Sequence, residues 1–404
     1  MQFLDKINIL TWALVLFLIT FIYWRIIPEK ARKSFLFITS VLFVSSYSII
    51  SAVYFLFNIA LTYWIAALII QKVGQKRNFL KLLLIWLIGN LVFFKCGNFI
   101  SGALAGYGRL IFSPALIKLP KIILPLGISY VIFRLIHYIV EVYRGNIEQG
   151  AFVDFALYIL FFPTFLAGPV ERFQRFYPQS SRPRLIDFEK LNAALYRLCK
   201  GLVKKYILAD SLATLILPVL SFPQDYSRQV VIIAVYALAI RIYLDFSGYT
   251  DMAIGVARLF GYEVMENFNR PFFQKNIVLF WRNWHISVSS WIRDYFFFPL
   301  FGSRASVFKL YLGIFLSMVI FHLWHAVSFG FLMLGIYHGV GIILWQLFQE
   351  IKKRVFVIEK VFSYRWLDPV SVFFTFSFVS FGFIFFNAGF RQSLGIFKAI
   401  FLKG

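Results

Sequence analysis

Long apolar runs alternate with short polar or basic stretches along most of the chain. They fall at about Ile7–Trp24, Ser34–Ile50, Ala52–Ile70, Phe79–Phe94, Ile122–Val140 and Phe152–Leu166, then at Leu191–Val219, Val230–Phe246, Val307–Trp324, Gly330–Phe348 and Val370–Phe386. A helix crossing a bilayer needs about 20 apolar residues, because each adds only about 1.5 Å to a path of about 30 Å. Each run therefore predicts one helix, the element that satisfies its own backbone hydrogen bonds in lipid. The pattern predicts an all-α, polytopic integral membrane protein of about 10–12 transmembrane helices. No internal repeat or low-complexity linker interrupts it, so a single membrane-embedded domain over residues 1–404 is expected.

Two regions do not fit. Residues 167–190, AGPVERFQRFYPQSSRPRLIDFEK, are too polar to cross and contain Pro169, Pro178 and Pro183, which predicts a loop or interfacial helix. Residues 245–304 hold too many charges and short apolar pieces for regular spans. Re-entrant or surface helices buried within protein are expected there.

Composition agrees. Hydrophobic residues make up 60% of the 404 and charged residues 15%, with a mean hydropathy of +0.77, too little polar surface to cover a water-soluble core. The 52 Phe, 21 Tyr and 10 Trp supply bulky lipid-facing surface, with Tyr and Trp suited to the headgroup belt. Lys and Arg total 41 against 18 Asp and Glu, a net charge of +23. In a soluble protein this excess would point to nucleic acid, but no basic stripe with stacking aromatics stands apart from the spans. The basic residues instead gather in short loops, where they orient the chain and meet anionic lipid.

Arg25, Lys30, Arg32 and Lys33 follow the first run and Lys72, Lys76, Arg77 and Lys81 the third, whereas Ser45–Ser51 carries no charge. Both basic loops are expected in the cytoplasm, as are Lys352, Lys353 and Arg354, with the amino terminus outside. No small-residue cleavage site follows the first run, so it reads as a span rather than a signal peptide. Cys96 and Cys199 alone supply no disulfide framework.

Polar groups at membrane depth are costly unless paired or hydrated, so their clustering is a functional lead. The richest cluster runs from Tyr243 to Arg304 and places Asp245, Ser247, Tyr249, Asp251, Glu266, Asn267 and Asn269 between apolar stretches. The alternative is a network that only holds bent helices together. Within FWRNWHISVSSWIRDYFFFPL, helical spacing puts Trp281, Trp284, Val288 and Trp291 on one face and Arg282, His285, Ser289 and Arg293 on the adjacent one. One interfacial amphipathic helix is expected, in which His285 is the group suited to proton transfer.

Five histidines are present in all. His322 and His325, in FHLWHAVSFG, lie about 4.5 Å apart along a helix and about 60° around it, so they can share one side. A catalytic zinc site asks for a third protein ligand, and helical metalloproteases add a Glu within the motif; HLWH supplies neither, and no metal is expected. His338 would stand about 20 Å from His325 along a continuous helix, so it reaches the same atom only if the chain turns near Ser328–Gly330. His338 and His137 otherwise read as satisfied histidines bonding across helices. No Gly-x-Ser-x-Gly nucleophile or phosphate-cradling loop occurs, which leaves histidine as the base.

WRNWH, followed some forty residues later by LWH, resembles the membrane-bound O-acyltransferases, in which a first His or Asn and a later His line a tunnel through the membrane. LPLGISYVIFRLIHYIVEVYRG (Leu124–Gly145), FFPTFLAGPVERF (Phe161–Phe173), LDFSGYTDMAIG (Leu244–Gly255) and MENFNRPF (Met265–Phe272) extend the likeness over most of the chain. They look like the bacterial branch, which holds alginate and peptidoglycan O-acetylating enzymes and teichoic-acid D-alanyl transferases. The resemblance implies helices around a central tunnel in the bacterial cytoplasmic membrane. It implies transfer from a cytoplasmic thioester, acetyl-CoA or an acyl carrier protein, to a hydroxyl of an extracytoplasmic polymer, directly or through an extracytoplasmic partner protein. No bound cofactor is implied.

The later family His falls on His325 and the earlier on His285; His322 matches no family position. Ala326 stands where the family usually has Gly. Trp324, Arg282, Asn283 and Trp284, with Asp245, Ser247, Tyr249, Asn267 and Asn269, are expected to line the tunnel or position substrate. A neutral His325 would take the hydroxyl proton as the oxygen attacks the thioester, a contribution of about 10²–10⁴-fold. His285, with Asn283 or Arg282, would position the thioester or stabilise its oxyanion. The chain's length is similar to that of the D-alanyl transferases, while DFSGYTDMAIG and MENFNRPF look more like the acetylases, so acetyl is the expected group and D-alanyl the alternative. A transporter would show paired charges in spans or repeated broken helices, and no such symmetry is visible.

Overall fold

A computed structural model describes residues 9–111, 123–166, 168–180, 186–302, 306–355, 364–387 and 389–402. Ile7, Ile122, Pro183 and Arg304, which bound or punctuate segments read from the sequence, lie outside the described residues. The helices are α1 Ile9–Arg25, α2 Glu29–Tyr47, α3 Ile49–Gln71, α4 Lys76–Ile111, α5 Ile128–Arg144, α6 Phe152–Leu160, α7 Phe162–Phe165, α8 Phe173–Ser180, α9 Phe188–Leu202 and α10 Asp210–Ser221. They continue with α11 Arg228–Leu259, α12 Ile277–Asn283, α13 Ile286–Ile292, α14 Phe298–Phe301, α15 Val307–His325, α16 Phe329–Arg354, α17 Asp368–Gly382, α18 Ile384–Asn387 and α19 Phe390–Phe401. Among the described residues there is no sheet, only one antiparallel bridge between Phe268 and Trp284.

Among the described residues, six stretches are long and apolar enough to cross a membrane: Ile49–Gln71, Val73–Gly97, Arg228–Leu259, Val307–His325, Phe329–Arg354 and Arg365–Phe386. The protein is an all-α, multi-pass membrane protein.

Three elements differ from the expected pattern. α11 runs past Phe246 to Leu259 and takes in DFSGYTDMAIG, which had read as the start of the irregular region. Its carboxylates Asp245 and Asp251 are neutralised by Lys205 and Lys204 of the helical segment Val203–Ala209, which continues α9. Gly248 lets that segment approach closely, because a Cβ there would lie 2.9 Å from the Gly201 carbonyl oxygen. Phe152–Leu166 breaks into α6 and α7 at Phe161. α19, unannounced by any apolar run, carries Arg391, Gln392 and Lys398 on an amphipathic helix that buries Ser393, Ile396, Ala399 and Ile400.

The chain divides into two compact units. One comprises Met1–Phe94, Ile123–Cys199 and Met252–Met265; the other comprises Lys95–Ile122, Lys200–Asp251 and Glu266–Gly404.

In the first unit, α2, α3, α5 and α6 pack around an aromatic core that encloses a complete guanidinium. Arg134, 1% exposed, donates to the carbonyls of Tyr158, Ile159, Thr164 and Pro169 and to Thr164 Oγ1, at 2.7–3.3 Å. These bonds fasten α5 to α6, to α7 and, through Pro169, to the start of the polar segment that follows. Glu171 in that segment accepts from the amides of Arg172 (2.9 Å) and Met265 (2.7 Å). Burial pushes its carboxyl up from the ordinary value, and those two amides, with Arg175 and Arg134, pull against the rise. His137 Nε2 accepts from the Phe173 amide at 3.0 Å, the bond across helices expected of it.

In the second unit, α15 and α16 pack together along their length, joined by a turn over Ala326–Ser328. Ser328 Oγ caps α16 by accepting from the Phe331 amide at 3.3 Å. The helices touch at backbone distance where Gly335 meets Val319, since a Cβ on Gly335 would lie 2.7 Å from Val319 Cα. This is the turn that His338 required.

Candidate active site

The segment expected to be one amphipathic helix is two. α12 ends at Asn283, Trp284 is extended at φ −110°, ψ 127°, and His285 takes the left-handed conformation at φ 46°, ψ 50°, before α13 starts at Ile286. A left-handed residue other than glycine is sustained only when its surroundings fix it. MENFNRPF supplies those surroundings. The Asn269 amide donates to the Asn283 carbonyl at 3.1 Å, and the Ile286 amide donates to the Asn267 carbonyl at 2.9 Å. Asn267 Oδ1 accepts from Ser287 Oγ at 2.6 Å and from the Ser287 amide at 3.3 Å. Two amides that α13 leaves unpaired at its start are thus satisfied by one asparagine. The break removes His285 from the face it would have shared with Arg282 and Ser289.

His285 is fully buried, and its Nδ1 lies 3.4 Å from Asn267 Oδ1. An amide oxygen only accepts, so Nδ1 carries the proton and Nε2 keeps its lone pair. Asn267 Nδ2 lies 3.4 Å from Thr250 Oγ1, which agrees with this orientation of the amide. Nε2 has no hydrogen-bond partner among the described residues. His285 sits between two short helices, outside the six spanning stretches, and burial pushes its pKa down to about 3, so the ring is neutral.

His325, the last residue of α15, is partly exposed. Its ring centroid stands 6.1 Å from that of His285, with Trp324 at 4.6 Å, Phe321 at 5.5 Å, Phe331 at 6.0 Å and Phe386 at 6.2 Å. His322 has a different setting. Its Nδ1 donates to the Met318 carbonyl at 2.8 Å, and its ring lies parallel to that of His338 with centroids 5.4 Å apart. Trp281 packs edge-on against both, at 5.4 Å and 5.1 Å. His338 is fully buried with neither ring nitrogen partnered among the described residues, so it is not the satisfied histidine the sequence suggested. The histidines therefore pair as His285 with His325 and His322 with His338.

The other expected residues separate into three groups. Trp324, Trp284 and Asn267 belong with the first pair: Trp324 lies 6.0 Å from His285, and Trp284 packs on Phe268, which touches Phe246 and through it His285. Arg282 is exposed and, with Arg293, Ser289, Trp281, Phe321 and Gln346, lines a cavity of about 560 Å³. Asn283 turns its side chain back to the Leu279 carbonyl at 2.9 Å, and Asn269 is exposed and acts through its backbone.

Asp245, Ser247 and Tyr249 form the third group, built on Lys204 and Lys205. Lys205 pairs with Asp245 at 2.6 Å and with Asp210 at 3.1 Å, while Lys204 pairs with Asp251 at 2.7 Å and donates to Ser247 at 3.3 Å. The ammonium of Lys205 also lies over the Tyr249 ring at 5.6 Å. Both lysines sit on the π-helical segment Val203–Ala209, so charge pairs do occur against the apolar helix α11. Their only mark in the sequence was two adjacent lysines inside an apolar run. Among the described residues no three His, Cys, Asp or Glu side chains gather as a metal site.

Compared with known proteins, residues 72–387 match the family described as MBOAT, membrane-bound O-acyltransferase. The chain is 32% identical over 368 residues to a Pseudomonas aeruginosa protein named probable alginate O-acetylase, covering 89% of this chain and 68% of that one. It is similar to a Bacillus subtilis protein named teichoic acid D-alanyltransferase, 30% identical over 65% of this chain and 68% of the relative. A Helicobacter pylori protein named peptidoglycan O-acetyltransferase is 28% identical over 66% of this chain and 54% of the relative. Two further relatives named probable alginate O-acetylase, from Pseudomonas putida and Azotobacter vinelandii, are covered over 53% and 44% of their length.

Proposed function

Because the chain belongs to the membrane-bound O-acyltransferase family, we propose that it moves an acetyl group from a cytoplasmic thioester, on coenzyme A or an acyl carrier protein, to a hydroxyl of an extracytoplasmic cell-envelope polymer. The transfer is direct or passes through an extracytoplasmic partner protein, in the bacterial cytoplasmic membrane. The observation that carries the reading is the His285–His325 pair, two imidazoles 6.1 Å apart with the His285 Nε2 lone pair unclaimed.

His325 takes the acceptor's hydroxyl proton as that oxygen bonds to the thioester carbonyl carbon. Collapse of the tetrahedral adduct breaks the carbon–sulfur bond, and the proton on His325 passes to the departing thiolate. His285 acts as a positioning group. With Nδ1–H held by Asn267, Nε2 can accept from an amide N–H of the donor's pantetheine arm but has no proton to give an oxyanion. Of the two roles expected for His285, this arrangement favours orientation of the donor over stabilisation of the oxyanion. Asn267→Leu is expected to lower turnover about 10–100-fold at equal protein levels, the usual scale for a group that orients a site residue. An unchanged rate would remove Asn267 from this role.

The cavity bearing Arg282 and Arg293 suits the donor's phosphates, and Phe321 lines it while also packing on both His285 and His325. Replacing both arginines with Gln is expected to raise the donor KM about tenfold and leave kcat nearly unchanged, since two exposed charge contacts, about 0.2–1 kcal/mol each, are lost from ground state and transition state alike. Donor titration in isolated membranes measures this, and an unaltered KM would place the donor elsewhere.

D-alanyl transfer is the second reading, favoured by the similarity to the teichoic acid D-alanyltransferases. Supplying membranes with labelled acetyl-CoA and, separately, labelled D-alanyl carrier protein tests the choice. Label in the polymer from acetyl-CoA alone is expected, and label from the D-alanyl donor alone would replace this reading with the second.

A further inference from the structure

We infer that Lys95 is a specificity-determining residue beside the reacting centre, whose ammonium admits neutral acyl groups and rejects aminoacyl groups. The inference rests on the acyl-transfer reading above and narrows its substrate class.

Lys95 lies in the apolar spanning stretch Val73–Gly97, with Nζ 5.3 Å from the centroid of the Trp324 ring. An ammonium in such a helix normally has a carboxylate partner. Among the described residues the carboxylates in ion pairs are matched to other cations, and residues 98–122, which follow directly, contain no Asp or Glu. Lys95 rests instead on the indole face, a cation–π seat.

That same indole packs 4.6 Å from His325 and 6.0 Å from His285. The rings around His325 are Phe321, Trp324, Phe331, Phe386 and His285, and among the described residues the charged side chain that acts on it electrostatically is Lys95 rather than a carboxylate. An aminoacyl thioester bound with its carbonyl at His325 would bring its own α-ammonium into this enclosure. Among the described residues it would meet no carboxylate at His325, and the Lys95 ammonium already lies over the Trp324 ring. The two distances cap the separation of Nζ from the His325 ring centroid at about 10 Å, where like charges in a partly buried site disfavour binding about tenfold. An acetyl group carries no charge and feels no such repulsion.

Propionyl and glycyl thioesters have one shape and differ by a methyl against an ammonium, so their ratio isolates charge from size. Each is offered on coenzyme A and on an acyl carrier protein, with acetyl as reference, to isolated membranes containing the full-length protein and its polymer. Wild type is expected to favour propionyl over glycyl about tenfold in kcat/KM. Lys95→Met should bring that ratio close to one by raising glycyl transfer, with acetyl transfer kept, and Lys95→Arg should preserve the wild-type preference. Lys95→Gln carries the same expectation as Lys95→Met if the latter fails to insert. A ratio unchanged by removing the charge, a loss shared equally by both groups, or a wild-type preference for glycyl overturns the inference while leaving acyl transfer standing. Wild type that acylates nothing, even from acetyl donors, overturns the acyl-transfer reading itself.

Discussion

His325→Ala is expected to reduce acyl transfer about 10²–10⁴-fold, the range over which a positioned base assists proton transfer, while the protein still inserts at normal levels. His325 ends α15 and is partly exposed, so its truncation removes little buried packing. The same substitution at His322 should retain at least about a tenth of the activity, because His322 is committed elsewhere, with Nδ1 bonded to Met318 within its own helix and its ring stacked on His338. Two histidines three residues apart thus give unequal losses. Initial rates with labelled donor, normalised to membrane protein, measure both. Equal losses would mean that His322 shares the chemistry, and an active His325→Ala variant would remove the proposed base.

The largest stability effect is expected at Arg134. Its guanidinium is enclosed in the first unit and serves four carbonyls and a hydroxyl on α6, on α7 and at Pro169 beyond it. Arg134→Met keeps much of the volume but strands those acceptors, and each buried acceptor left unpaired costs about 1–3 kcal/mol. Breaking such a network as a whole typically costs about 3–5 kcal/mol, a large part of a domain's stability. Arg134→Lys should recover little, since an ammonium cannot reach carbonyls on several sides with the planar fork of a guanidinium. Thermal unfolding of the detergent-solubilised protein, with the amount recovered from membranes, tests this. A midpoint within a degree or two of wild type would show that the carbonyls find other donors.

Most spans were legible because length and hydropathy act together: α1, α3, α15 and α16 begin and end within a few residues of the runs that announced them, apart from the polar tail of α16. Where the reading failed, the deciding contacts were distant in sequence. Trp281, Trp284 and Trp291 keep a helical spacing that no local signal contradicts, and the break at His285 is imposed by Asn267 and Asn269, within MENFNRPF and some sixteen to eighteen residues earlier. α11 looked too acidic to continue past Phe246 because its counter-ions, Lys204 and Lys205, stand some forty residues earlier. Lys95 stands at the edge of an apolar run, where a terminal lysine ordinarily snorkels to the headgroups and carries no functional signal. The pairing of His285 with His325 was suggested by motif resemblance, and no spacing rule foretold a ring separation of 6.1 Å.

Sealed inside-out membrane vesicles that carry the polymer in their lumen give the most direct test of acyl transfer across the membrane at His325. Labelled acetyl-CoA added outside, on the cytoplasmic face, should acetylate the enclosed polymer in wild-type vesicles and lose that signal about 10²–10⁴-fold in His325→Ala vesicles. Equal labelling of the lumenal polymer in both preparations would contradict the account.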